Sequence, residues 1–331
     1  MRILFMGTPD FAVPCLDALV KSGRDVVGVV TQPDRPKGRG RQLTPSPVKL
    51  KATQCGIPVY QPEKIKSPEF VSQLKEIRPD LIVVVAFGQL LSPEILDLPP
   101  YGCVNVHASL LPGYRGAAPI HWAVINGEKE TGVTTMYMDR GLDTGDMILN
   151  QLIPVAEDDT VGSVHDKLAE AGARLLIKTI DAIEKGQAPR TPQDHSAATY
   201  AGLLKREHER IDWDRGAEDI RNLIRGMNPW PGAYTTLGDR VLKVWQAESF
   251  EAGGATAPQA LSGSMAAREA YEGSAPGDSG KVLQIIPGRG LVVQAGNGCL
   301  LLTEVQLQGS RKMSVEEFLR GHPVKPGTRL G

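Results

Sequence analysis

In this 331-residue sequence the segment Asn105-Val106-His107 sets an amide two residues from an imidazole. If the chain is extended there, the two-residue period of a strand puts both side chains on one face. An amide donor and an imidazole aimed together can stabilise a developing oxyanion and move a proton. Downstream, Asp139-Arg140-Gly141-Leu142-Asp143-Thr144-Gly145-Asp146 offers carboxylates in a glycine-bearing loop. A carboxylate brought against an imidazole orients it and favours its charged form. Both motifs also have plainer readings. A lone histidine beside a turn is commonly structural, and an acidic loop is commonly a solvated turn or a cation loop. Calcium is disfavoured, because EF-hand spacing and its terminal glutamate are missing.

The elements that must position these residues read as alternating strand and helix. Residues 2–6 and 26–31 are short buried strands, and 81–86 (LIVVVA) is a β-branched run suited to a strand covered on both sides. Gly7-Thr8-Pro9 reads as a turn, with Thr8 placed to cap a helix and Pro9 at its first position. That helix runs to about Gly23, with Val13, Leu16, Leu19 and Val20 along one face. Residues 104–107 and 131–138 add two more strands. Repeated β-α-β units give an α/β, Rossmann-like, mostly parallel sheet with helices on both faces. Ligands of such sheets sit beyond the C-terminal strand ends. The Leu110-Leu111-Pro112-Gly113 turn that follows His107 would leave backbone groups free for a planar ligand. The single glycine of Gly7-Thr8-Pro9-Asp10-Phe11 lacks the GxGxxG dinucleotide fingerprint, and no Walker loop is present.

Residues 1–189 therefore read as one domain, 190–207 as a polar linker, and 208–331 as a second domain. In the second, 217–226 has helical periodicity with Ile220, Leu223 and Ile224 inward. Short strands at 233–237, 241–245, 282–286, 290–294 and 299–306, divided by glycine turns, suggest a small OB-like barrel. Residues 251–279 interrupt it. Ala, Gly, Ser and Pro make up 19 of those 29 residues, too few apolar groups to order the stretch, so a mobile surface insert is expected.

Net charge is −1, so overall charge points to no polyanion, but its distribution does. Residues 31–51 hold Arg35, Lys37, Arg39, Arg41, Lys49 and Lys51 against Asp34 alone. Prolines and glycines disfavour regular structure at the centre of that stretch, leaving either a flexible grip for a phosphate backbone or a solvated charge run. Residues 281–331 carry seven basic groups against three acidic ones. Cys15, Cys55, Cys103 and Cys299 form no CxxC pair, which reads as reduced thiols rather than a zinc ribbon. Without an uninterrupted apolar signal segment or membrane span, the expectation is a cytoplasmic protein with no membrane contact.

Several segments resemble the methionyl-tRNA formyltransferase family: MRILFMGTPDFAVPCLDAL, QPDRPKGRGRQLTPSPVK, VVVAFGQLL, NVHASLLPGYRGAAPIHWAVINGE and MDRGLDTGDM. The likeness spans nearly the whole chain except the insert. It implies a formyltransferase domain followed by an OB-like tRNA-binding domain. The implied reaction moves a formyl group from 10-formyltetrahydrofolate, a co-substrate, to the α-amino group of methionyl initiator tRNA, without a metal ion. Asn105, His107 and Asp143 match the family's catalytic trio, and Ser109, Leu110, Leu111 and Pro112 its folate-binding segment. Arg35, Lys37, Arg39, Arg41 and Lys49 fall in the loop that meets the tRNA acceptor end, and Lys205 matches a basic linker position. A monomer is expected. Three rivals remain: a formyltransferase for a small amine, a formyltetrahydrofolate hydrolase, and a non-catalytic RNA-binding relative.

Overall fold

The structure, a computed structural model, describes residues 1–37, 42–250 and 278–331, with the side chains of Lys37 and Gln42 excepted. Arg39, Arg41 and almost all of the 251–279 insert lie outside the described residues. The chain divides into two compact units. One comprises Met1–Ile120, Lys129–Val155 and Ser163–Gly202; the other comprises His121–Glu128, Ala156–Gly162 and Leu203–Gly331.

In the first unit, β1 (Arg2–Gly7), β2 (Asp25–Val30), β5 (Val59–Tyr60), β6 (Leu81–Val85) and β7 (Cys103–His107) lie parallel, in the order β5-β2-β1-β6-β7. The antiparallel strands β9 (Glu130–Tyr137) and β10 (Met147–Pro154) extend the edge beyond β7. All five residues of β6 are buried, as expected of a β-branched run in mid-sheet. Leu4, Met6, Ile82, Val84 and Cys103 pack on one face against Phe70, Val71 and Leu74 of α3 (Pro68–Ile77). On the other face, Val106 and Val133 abut Gly172 of α6 (Val161–Glu184), where a β-carbon would stand 3.1 Å from Val106. Since Val106 points towards α6, Asn105 and His107 must follow Cys103 on the opposite face.

One local expectation fails. Thr8 caps no helix. A 3-10 turn, Asp10–Ala12, precedes α1 (Val13–Lys21), and the Thr8 hydroxyl instead donates to the Phe87 carbonyl at 3.0 Å. Within the basic stretch, β3 (Arg35–Lys37) and β4 (Gln42–Thr44) pair antiparallel on either side of the centre, with Pro36 opposite Leu43, and the centre itself, 38–41, lies outside the described residues. Proline's fixed φ suits an extended edge, where its missing N–H costs no ladder bond.

The second unit is an antiparallel sheet in the order β12-β13-β16-β15-β14 (Tyr234–Leu237, Arg240–Phe250, Cys299–Leu307, Gly290–Gln294, Val282–Ile286). Helix α7 (Ala217–Gly226) buries Ile220, Leu223 and Ile224 against Leu242, Val244 and Leu302, and Phe318 of α8 (Val315–Gly321) joins the same core. The last residues join the two sheet edges. Arg329 bridges Lys281 beside β14, and Leu330 bridges Leu237 at the end of β12. That closes the ladder into an OB-like barrel.

All four cysteines are unpaired. Burial pushes the Cys15 and Cys103 thiols up to about 12 and that of Cys299 to about 11, whereas Cys55 is half-exposed. Because the thiolate is the reacting form, maleimide labelling of native protein at neutral pH should modify Cys55 first and spare the other three until unfolding. Equal rates at Cys55 and Cys103 would contradict this packing.

Candidate active site

The C-terminal end of β7 presents Asn105 and His107 two residues apart. Asn105 is half-buried beside Val84 of β6, and among the described residues no hydrogen bond engages its amide. His107 is 6% exposed. Its Nε2 lies 3.0 Å from the Tyr114 carbonyl oxygen. A carbonyl can only accept, so Nε2 carries the proton and Nδ1 is the nitrogen left to face the site. Nδ1 stands 3.7 Å from Asp143 Oδ2. That is too long for a hydrogen bond, and it becomes an ion pair only when the imidazole is protonated. The imidazole and carboxylate motifs thus meet, with Asn105 on the same strand face as His107, although Asp143 arrives from a loop remote in sequence.

One short strand holds both members of the pair. Strand β8 (Arg115–Gly116) follows Tyr114 directly, and the Gly116 N–H donates to Asp143 Oδ2 at 2.9 Å. Strand β8 pairs in turn with β11 (Tyr200–Ala201), in the segment whose sequence reads as a polar linker. The close approach requires glycine at 116: φ is +118°, and a β-carbon there would lie 2.7 Å from the Ala201 carbonyl oxygen. Tyr114 and Asp143 themselves adopt left-handed backbone at φ 59° and 54°. Such conformations cost on the order of 1–3 kcal/mol each and persist where the surroundings over-determine them.

Behind this strand sits a polar network that sequence reasoning misses. Arg115 is 1% exposed, and its guanidinium donates twice to Gln193 Oε1, at 3.1 and 2.6 Å. The Gln193 amide donates onward to the carbonyls of Asp143 (2.9 Å) and Gly145 (2.8 Å). Arg115 is visible inside the Pro-Gly-Tyr-Arg-Gly segment, but nothing in the polar run Pro192-Gln193-Asp194-His195 marks Gln193 as a buried clamp.

Residues 109–112 behave differently from the expected open turn. The Ser109 hydroxyl donates to the Gly113 carbonyl at 2.6 Å, the Leu111 N–H donates to Thr134 Oγ1 at 3.1 Å, and Thr134 Oγ1 donates to the Ser109 carbonyl. These polar groups are satisfied internally, because the turn packs onto β9. Leu110 and Pro112 remain half-buried and Leu111 is buried. Among the basic residues, Arg35 is exposed, whereas Lys49 is tied to Asp34 at 2.6 Å. That contact, with a further bond from Gln61, holds the Asp34 carboxyl below the usual range. Lys205 is exposed in the second unit and lies 3.5 Å from Glu207. Among the described residues no group of His, Cys, Asp and Glu is placed to hold a metal ion.

The formyl transferase family profile matches residues 1–180, and that of the formyl transferase C-terminal domain matches residues 203–323. A methionyl-tRNA formyltransferase of Desulforamulus reducens is 55% identical over 331 residues, covering 100% of this chain and 98% of the relative. The chain belongs to the methionyl-tRNA formyltransferase family. Among solved structures, an N-formyltransferase of Helicobacter canadensis superposes with a TM-score of 0.61 at 17% identity, over 91% of this chain and 98% of that one. HypX from Aquifex aeolicus in complex with tetrahydrofolic acid superposes at 0.62 and 16% identity, over 96% of this chain and 47% of that one. These two likenesses establish the fold. In this formyltransferase, Asn105, His107 and Asp143 all fall inside the first matched region, whereas Gln193 lies between the two. Replacing Gly116 with Ala should cost about 1–3 kcal/mol by forcing a side chain into left-handed backbone against Ala201. A thermal midpoint equal to wild type would mean that the β8–β11 pairing yields freely.

Proposed function

We propose that the chain transfers a formyl group from 10-formyltetrahydrofolate to the α-amino group of methionyl initiator tRNA. The observation that carries this reading is the approach of Asp143 to His107 at the end of the strand that also bears Asn105, in a chain 55% identical over its full length to a methionyl-tRNA formyltransferase. The folate is a co-substrate. An α-amine is mostly protonated below about pH 8, so the acceptor must lose a proton before its lone pair can attack. A C–N bond then forms at the formyl carbon, charge develops on the formyl oxygen, and the bond to the folate nitrogen breaks as that nitrogen gains a proton.

Each residue has a role in this scheme. The Asn105 amide donates to the formyl oxygen as charge builds, a contribution of roughly 3–4 kcal/mol per donor in another enzyme. His107, with Nε2–H held by Tyr114, uses Nδ1 for proton exchange at the reacting centre. Asp143 stabilises the imidazolium that results and shares the proton's passage from amine to folate nitrogen. Ser109, Leu110, Leu111 and Pro112 form the wall beside the folate, offering the half-buried Leu110 and Pro112 side chains. Arg35, Lys37, Arg39, Arg41 and Lys205 contact tRNA phosphates, and Lys49 acts from its pairing with Asp34. The same reading makes 1–189 the catalytic domain, 190–207 the linker and 208–331 the tRNA-binding domain.

The deciding assay incubates the protein with 10-formyltetrahydrofolate and charged initiator tRNA and looks for formyl-methionine; a free small amine as the better acceptor would overturn the reading. His107→Ala should lower kcat by about 10²–10⁴-fold with folate affinity nearly unchanged, and near-normal turnover would remove His107 from the chemistry. Replacing Arg39 and Arg41 with Ala should raise the KM for tRNA and reduce the salt slope of binding by about one for each phosphate no longer neutralised. An unchanged slope would make the stretch merely solvated.

A further inference from the structure

The pair His107–Asp143 is held from outside its own loops. Tyr114 supplies the carbonyl that receives the His107 Nε2–H, and Gly116 supplies the N–H that binds Asp143 Oδ2. What fixes these two residues is the segment following residue 190. Thr199 accepts the Tyr114 N–H through Oγ1 at 2.8 Å, and the Thr199 carbonyl accepts the Arg115 N–H at 2.8 Å. The Ala201 carbonyl accepts the Ala117 N–H at 2.9 Å. Earlier in the same segment, Thr191 bridges Met147, and the Arg190 guanidinium lies 3.7 Å over the Tyr137 ring. Gln193 joins the two sides. Its oxygen receives the Arg115 guanidinium from β8, while its amide binds the carbonyls of Asp143 and Gly145 on the acidic loop.

Each group here has one workable partner type. Gln193 at 6% exposure cannot turn to water, and its NH2 is the only part able to satisfy two carbonyls at once. Arg115 at 1% exposure keeps the Gln193 oxygen on the β8 side and so fixes which way the amide faces. The His195 ring adds a third contact, with Nδ1 accepting from Arg115 Nη1 at 3.2 Å. The left-handed Asp143 backbone, whose carbonyl Gln193 binds, is thereby held in a conformation it would otherwise leave.

We propose that the segment 193–201 is a positioning strap for the His107–Asp143 pair, with Gln193 the positioning residue that aims the Asp143 carboxylate. Neither Gln193 nor Thr199 touches a reacting atom. Their effect is on the geometry of residues that do, and the assignment rests on Asp143 and His107 serving formyl transfer.

The test uses the full chain and Gln193→Glu. This variant keeps an oxygen for Arg115 but removes both donors and sets a carboxylate against two carbonyls. The expected result is a fall in kcat of about 10- to 100-fold with the KM of each substrate within about threefold. In an Asp143→Ala background the same change should lower kcat less than about twofold, because the group being aimed is gone. Exchange of the Gly116 amide hydrogen, read by NMR, should speed up in Gln193→Glu. Wild-type kcat, or the same loss with and without Asp143, overturns the strap, and so does unchanged Gly116 exchange whatever the activity. A wild-type chain that formylates no Met-tRNA, or an Asp143→Ala enzyme of normal rate, overturns the functional reading instead. Should Gln193→Glu fail to fold, Thr199→Val tests the other arm at an exposed position, where lowered kcat with unchanged KM is expected and wild-type kcat overturns the proposal.

Discussion

The candidate site depends on a single stretch of backbone holding two side chains that would not otherwise share a geometry. The Tyr114 carbonyl and the Gly116 N–H lie two residues apart, on either side of Arg115. One is an obligate acceptor and the other an obligate donor, so each selects which atom of its partner it holds. The acceptor takes the His107 Nε2–H and leaves Nδ1 towards the site. The donor takes one carboxylate oxygen of Asp143 and leaves it 3.7 Å from Nδ1. A β-carbon at residue 116, or a free carbonyl at 114, would disturb both.

Burial sets how much this arrangement matters. His107 and Asp143 have side chains 7% and 14% exposed, so water screens their interaction poorly. In the proposed reaction a proton arriving at Nδ1 meets a carboxylate already oriented by a backbone donor. The carboxylate need not rotate, and little solvent must reorganise. Asn105 projects from the same face of the same strand, two residues earlier. The rigidity behind these groups is ordinary sheet packing: Val106 is locked under Gly172, and β7 lies between β6 and β9. The precision comes from the less regular layer, where β8, β11 and Gln193 exchange hydrogen bonds.

Much of this is legible in the amino-acid sequence. The run LIVVVA reads as a covered strand because its residues are mostly β-branched and unbroken, and the strand ends one residue sooner, at Val85. The helix Ala217–Gly226 is expected at its observed bounds because its inward residues recur at helical spacing. The shared face of Asn105 and His107 follows from period two. What sequence cannot show is contact between residues far apart in the chain. Nothing local brings Asp143 to His107, and nothing marks Gln193 as buried, since a glutamine among polar neighbours looks like a loop. Thr8 has the residue type of a helix cap, yet its hydroxyl finds a carbonyl on a neighbouring loop instead. The three-residue strands within the basic stretch are hidden by prolines and glycines that also signal turns. The Ser109–Gly113 turn reads as open because its partner, Thr134, comes from a strand later in the chain.

The central claim is that Tyr114 fixes the tautomer of His107 so that Nδ1 faces Asp143. Long-range proton–nitrogen NMR of the histidine rings, recorded on the full chain at a pH where His107 is neutral, reads this directly. The account predicts a protonated Nε2 and an unprotonated Nδ1 at His107 in the wild-type chain. A proton found on Nδ1 with Nε2 bare would contradict it.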